Sequence, residues 1–248
     1  MKTSLVCFAL VLLAGATKTC GDEEVLIQEK PHTHYKRVYS SKNVAAEELT
    51  ADYWNSQAQE TLKEHLKVKY NTNTAKNVIL FLGDGMSIPT LTATRLVLGG
   101  EKEKLSFEKF PFVGLSKTYC VDAQTADSAC SATAYLCGVK TNDATIGVTA
   151  KVKRGDCNAM ADKNNHVKSI AHWAQQAGKA AGFVTTTRVT HASPAGTYAS
   201  TADRDWESDA DVVKDGADPK LCPDIAEQLM KHEPGKHFKV KTLLKYNS

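Results

Sequence analysis

Residues 77–95 read NVILFLGDGMSIPTLTATR, and their order decides the fold class. Val78 to Leu82 is a short continuous apolar run rich in β-formers, of the kind found in strands buried on both faces. Gly83-Asp84-Gly85 then makes a tight turn, and Ile88 to Leu98 has helical composition up to the stop signal Gly99-Gly100. Strand, glycine turn and helix in this order open a βαβ unit, so the expectation is an α/β protein with a mostly parallel sheet. The order recurs downstream: Val167 to Gln176 reads as a helix stopped near Gly178, and Gly182 to Thr187 reads as a strand. Ligands of open α/β sheets bind beyond the carboxyl ends of the strands, where Asp84 and a loop holding His191, Ser193 and Pro194 would both lie.

Upstream of this unit, Ala, Leu, Tyr, Trp and Leu recur at helical intervals from Val44 to about Leu66, with Ser41 or Thr50 able to cap the helix. Its apolar face suits a core or subunit contact. Residues 17–43 form a polar arm. In residues 1–16, Lys2 precedes an unbroken apolar run from Leu5 to Leu13 and an Ala14-Gly15-Ala16 cleavage site, the pattern of an export signal. That run is about half the ~20 residues a membrane-spanning helix needs, so an extracellular location is expected. The last residues, KTLLKYNS, carry no apolar tail of the kind that directs a lipid anchor.

Overall composition narrows the function. With 42% hydrophobic and 24% charged residues, the chain can build one sizeable core, assigned to residues 44–248. A net charge of only +3, with basic and acidic residues interleaved, argues against nucleic-acid binding. An exported chain can form disulfides, and Cys20, Cys120, Cys130, Cys137, Cys157 and Cys222 remain once the signal is removed. They contain no C-x-x-C zinc pattern, and spacing alone leaves their pairing open.

The chemistry centres on ADSACSATAYLCGVKTNDATIG, residues 126–147. Ser128 starts an alanine-rich helix that Gly138 can end, where free N–H groups and the helix dipole would favour an alkoxide and bind a phosphate oxyanion. Asp127 or Ser128 could equally be a plain N-cap. A third block, VTTTRVTHASPAGTYASTADRDWESDAD, spans residues 184–211.

Taken in order, these three blocks closely resemble the alkaline phosphatase family, from about Glu47 to Leu229. The resemblance implies the N-terminal half of a secreted or membrane-associated animal-type member, with a three-layer fold around a mostly parallel sheet. It implies hydrolysis of phosphate monoesters to inorganic phosphate through a phosphoserine, with zinc and magnesium as cofactors. Ser128 matches the nucleophile, which is also a zinc ligand, and Asp84 the carboxylate bridging the second zinc and the magnesium. Ser193 matches a magnesium ligand, and His191 lies where the family places a residue near that magnesium. Arg204 matches the guanidinium that forks phosphate oxygens, with Asp127 orienting it. Homodimerisation of the complete enzyme is implied too, and a complete member can be membrane-attached.

The resemblance further implies a Cys157–Cys222 disulfide, for which chain entropy suggests a contribution of about 4 kcal/mol before strain. Cys137 is expected as a buried free thiol. The pairing of Cys20, Cys120 and Cys130 stays open. The family's other ligands belong to an Asp-His-x-His-His cluster and a later Asp-His pair, neither of which occurs here. Only two ligands for the second zinc are therefore expected from this chain, and little activity from it alone. The competing reading is a secreted, non-catalytic binding protein that keeps half the fold. A sulfatase or phosphodiesterase is disfavoured because no Cys-x-Pro-x-Arg motif occurs. His166, His172, His232 and His237 match no family ligand and are read as packed or solvated side chains.

Overall fold

The computed structural model describes residues 45–243. The export signal, the arm and Cys20 lie outside them. The chain divides at Val68 into two units, considered separately below.

In the first unit, α1 (Ala51–Lys67) starts at Thr50, whose side chain accepts the Tyr53 N–H at 3.4 Å, so Thr50 is the cap. A 3-10 turn, Ala46–Leu49, precedes it. No residue of α1 is buried, and Trp54, Leu62 and Leu66 stay on its surface. No helix among the described residues is long and apolar enough to cross a membrane.

The second unit is α/β. Its helices are α2 (Ile88–Leu98), α3 (Ser128–Cys137), α4 (Cys157–Ala161), α5 (Ile170–Gln176), the single turn α6 (Ala192–Ala195), α7 (Asp209–Lys214) and α8 (Ile225–Lys231). Strands β1 (Gly182–Thr185) and β2 (Val240–Leu243) pair in parallel, Gly182 opposite Val240 and Thr185 opposite Leu243. The parallel pairing expected of this class is therefore present, as a two-stranded sheet.

Helix α2 follows its sequence signals closely: Ser87 and Thr90 form a capping box, Pro89 sits in the first turn and Gly99 ends the helix. Helix α5 begins later than expected, because the Ser169 side chain caps it by accepting the His172 N–H at 3.2 Å. Strand β1 stops at Thr185 because Thr185 turns inward on Thr187, its hydroxyl accepting the Thr187 N–H at 3.1 Å.

The expected strand at Val78–Leu82 is not formed. Among the described residues it finds no ladder partner, and its side chains are 48–84% exposed. An apolar run with β-forming residues becomes a strand only when a neighbouring edge pairs with it, and the one ladder among the described residues joins β1 to β2.

Three apolar clusters hold the well-packed part together. Ala129, Ile146, Ala192, Ala195, Tyr198, Ala199, Ile225, Leu229 and Phe238 form the largest, with Phe183 stacked on Tyr198 at 5.9 Å. Val148, Val152, Met160, Ala202, Trp206, Val212 and Cys222 form a second. Ala132, Leu136 and Cys137 form a third, against Val167. Helix α3 thus lends residues to two clusters and packs on α6. That approach needs Gly196: a Cβ there would stand 2.7 Å from the Ala132 Cβ and 3.1 Å from the Leu136 Cδ1. The Ser193 loop is thereby brought against the Ser128 helix.

Disulfides join Cys157 to Cys222, as the resemblance implied, and Cys120 to Cys130, one of the pairings that spacing had left open. Among the described residues Cys137 is the free thiol, and it is buried. Burial pushes its pKa up to about 12, so little thiolate forms at neutral pH. Native protein treated with iodoacetamide near pH 8 should therefore leave Cys137 unmodified, while guanidinium-unfolded protein is alkylated there. Rapid native labelling would mean that this packing is wrong.

Candidate functional site

The site begins with the start of α3. Asp127 has an extended backbone and accepts the Cys130 N–H on its Oδ1 at 2.9 Å, so it is the N-cap and Ser128 the first helical residue. At the far end Gly138 takes the left-handed conformation (φ 71°) that ends the helix. Ala129, Ala132, Thr133 and Leu136 bury one side of α3, and this leaves Ser128 and, two turns on, Tyr135 on the other. Thr133 fixes the buried side by donating to the Ala129 carbonyl and accepting the Gly147 N–H, at 3.1 and 2.9 Å.

Ser128 does not stand alone. Its hydroxyl donates to the Oδ1 of Asp84 at 3.2 Å, although 44 residues separate them. The other oxygen of the same carboxylate, Oδ2, accepts the Ser193 hydroxyl at 2.7 Å, across 109 residues. His191 Nδ1 lies 3.7 Å from Oδ2 and accepts the Ser193 N–H at 3.3 Å. Asp84 keeps a third of its side-chain surface exposed, so the carboxylate remains open to a ligand while holding two hydroxyls.

Arg204 closes the arrangement from the opposite side. Its Nη1 donates to the Oδ2 of Asp127 at 2.9 Å, and its Nη2 lies 3.3 Å from His191 Nε2. Burial first and the Arg204 charge second hold the His191 pKa below its ordinary value, with Asp84 opposing. At neutral pH the ring is uncharged. An uncharged ring that accepts the Ser193 N–H on Nδ1 carries its own proton on Nε2, so Nε2 faces Arg204 without accepting from it. The structure thus brings together all six residues singled out in the sequence: Asp84, Asp127, Ser128, His191, Ser193 and Arg204.

Two further contributors were not singled out. Tyr135 lies near both Ser193 and Asp84; burial first and the Asp84 charge second push its phenol up to about 12, so it stays protonated. Its spacing of seven from Ser128 on one helix was the available signal. Glu207 braces the His191 loop by accepting from Arg188 and from the Thr190 hydroxyl, and the Arg188 hydrogen bond holds its pKa below the usual carboxylate range. His166, His172, His232 and His237 lie elsewhere, and His166, half-buried, is bonded to the Met160 carbonyl at 2.7 Å.

Asp84, Ser128 and Ser193 offer only oxygen donors, a set suited to a hard cation such as magnesium, which keeps several waters of its own. A zinc ion takes about four ligands, usually with nitrogen or sulfur among them. Among the described residues no three His, Cys, Asp or Glu side chains gather around Asp84. The one such group, Cys120, Asp127 and Cys130, has its two sulfurs tied up in a disulfide.

A family model described as Alkaline phosphatase matches residues 75–243. The membrane-bound alkaline phosphatase of Bombyx mori is 50% identical over 229 residues, 87% of this chain and 42% of that protein. The tissue-nonspecific alkaline phosphatase isozyme of Homo sapiens is 53% identical over 194 residues, 75% of this chain and 36% of that protein. Among solved structures, a cold-active alkaline phosphatase from a Shewanella species aligns at 27% identity over 55% of this chain and 33% of its own, with a TM-score of 0.42. The chain spans less than half the length of these curated relatives.

Proposed function

Because this chain belongs to the alkaline phosphatase family, a family of phosphatase enzymes, we propose that it carries the nucleophile half of a phosphomonoesterase site that works through a phosphoserine. The observation that carries this reading is the convergence on Asp84: one carboxylate accepts the hydroxyls of Ser128 and Ser193, while Arg204 stands beside the start of the Ser128 helix.

Ser128 Oγ attacks the phosphorus of the ester, the P–O bond to the alcohol breaks, and the alcohol leaves with a proton. Water then attacks the phosphoserine, restoring the serine hydroxyl and releasing inorganic phosphate. Arg204 takes two phosphate oxygens in its planar fork, kept in place by Asp127, and the free amides at the start of α3 face the developing negative charge. Asp84 and Ser193 are the residues that would hold magnesium, and Asp84 with Ser128 would contribute to a zinc ion; His191 lies beside them. When bound, such dications stabilise the serine alkoxide and the leaving oxygen, which an unassisted serine near neutral pH lacks. Tyr135, protonated, and Glu207, through Thr190 and Arg188, keep the loop bearing Ser193 in place. An extracellular homodimer with small phosphate monoesters as substrates fits this reading.

The test is hydrolysis of p-nitrophenyl phosphate, with added zinc and magnesium, by the protein carried to the full length of its relatives. Loss of the Arg204 fork should weaken binding of inorganic phosphate by about ten- to a hundredfold in Arg204→Ala, the range expected for a charge-assisted bond. Arg204→Lys should recover only part of it, because an ammonium cannot make two parallel bonds. A protein that binds phosphate but hydrolyses no ester would favour the non-catalytic binding reading instead.

A further inference from the structure

The Cys120–Cys130 disulfide closes a ring of sequence separation 10, and that ring contains both Asp127 and Ser128. The other bridge, Cys157–Cys222, spans 65 and encloses neither. On one side of the short ring, the segment around Cys120 is tied down from outside. Lys140 Nζ donates to the carbonyls of Lys117 and Tyr119 at 2.9 and 2.6 Å and lies 4.0 Å above the Tyr119 ring. The Val121 N–H donates to Thr141 O at 2.9 Å, and Asp122 Oδ1 accepts the Asp143 N–H at 2.7 Å. On the other side, Cys130 lies in the first turn of α3 and donates its N–H to Asp127.

The bridge therefore couples an anchored segment directly to the turn that presents the nucleophile. Asp127 is held at both oxygens, Oδ1 by Cys130 and Oδ2 by Arg204, so any drift of Cys130 is passed to the guanidinium. Both half-cystines are 2% exposed, which closes them to dissolved reductants in the folded protein. A sulfur pair so enclosed serves as a fixed clamp and not as a redox switch.

We propose that the Cys120–Cys130 bridge is a positioning element of the phosphate site: it holds the first turn of α3 so that Asp127, Ser128 and Arg204 keep their mutual geometry. This rests on the phosphoserine reading above. Closing either ring lowers the entropy of the unfolded chain, the longer one somewhat more, but only the short one also ties the turn bearing Ser128 to an anchored segment. The two bridges should then differ in what their removal does.

The experiment compares Cys120→Ala/Cys130→Ala and Cys157→Ala/Cys222→Ala with the parent chain, by residue-resolved amide exchange and by titration with inorganic phosphate. In the first variant, amides at positions 130 and 131 should exchange about tenfold faster or more, while those of Ile146 and Thr201, which bond to each other, keep their rates. Its phosphate dissociation constant should rise about tenfold. The second variant should melt at a lower temperature and bind phosphate as the parent does. Unchanged exchange at 130 and 131, or equal phosphate loss in both variants, would overturn the proposal. Should the alanine pair lose the Ile146–Thr201 protection altogether, Cys120→Val/Cys130→Ala restores apolar volume and takes its place in the same comparison. A parent chain that binds no phosphate would sink the phosphate-site reading, and exchange at 130 and 131 would still decide whether the bridge positions the turn.

Discussion

In the protein carried to the length of its relatives, Ser128→Ala is expected to lower p-nitrophenyl phosphate turnover on the order of a thousandfold or more, with bound metal and fold retained. The size follows from removing the attacking atom of a unit whose members act together. Retention of the fold follows from what the substitution leaves in place. Alanine is a good residue for a helix start, and the Asp127 cap on Cys130 does not involve the serine hydroxyl. Asp84 loses one donor, at 3.2 Å, and keeps the shorter bond from Ser193 at 2.7 Å. Stability should thus move by less than about 1 kcal/mol. Elemental analysis of both proteins should give the same metal content. A variant that keeps most of its turnover would remove Ser128 from the reaction; one that loses its metals would make Ser128 a metal ligand that the site cannot spare.

The second large effect concerns these 248 residues by themselves. Refolded with excess zinc and magnesium, they are expected to turn over p-nitrophenyl phosphate no faster than their own Ser128→Ala variant. Asp84, Ser128 and Ser193 bring three oxygens together, and among the described residues no group of three His, Cys, Asp or Glu side chains gathers there. Two ligands hold a zinc ion far more weakly than four. Without that charge the serine stays a neutral hydroxyl and the phosphoserine has no activated water to cleave it. Arg204 and the start of α3 should still bind inorganic phosphate, since neither depends on a metal. Clear Ser128-dependent turnover by a verified monomer of this length would show the ligand count to be wrong.

What could be read from the sequence divides by range of interaction. Helix α3 was legible because its signals are local: Asp127 caps it, Gly138 ends it, and alanines fill the side that packs. The same holds for α2, bracketed by Ser87, Pro89 and Gly99. Val78–Leu82 misled because a strand is a pairing, and a run of β-formers says nothing of which edge it meets. Of the site, strand order pointed to Asp84 and the His191 to Ser193 loop and the helix start to Ser128, but only the family resemblance joined them and added Arg204. No periodicity links Asp84 to Ser193 across 109 residues, nor Asp127 to Arg204 across 77. Gly196, which brings α6 onto α3, carries no sign of that duty, since its own φ is ordinary. Tyr135 could have been found from helical spacing, whereas Glu207 required knowing how the chain folds around Arg188 and Thr190. Cys120 and Cys130 showed no pattern that decided between partners, because pairing depends on Cα separation in the fold.

The most direct test of a phosphoserine at the start of α3 is acid trapping. The protein carried to its relatives' length is incubated with labelled inorganic phosphate or a phosphate ester, quenched at low pH, and digested for peptide mapping. The label should be recovered on Ser128, within the peptide containing Asp127 and Cys130, and should be absent from Ser128→Ala. Label on Ser131, Ser193 or a threonine, or label that survives Ser128→Ala, would contradict it.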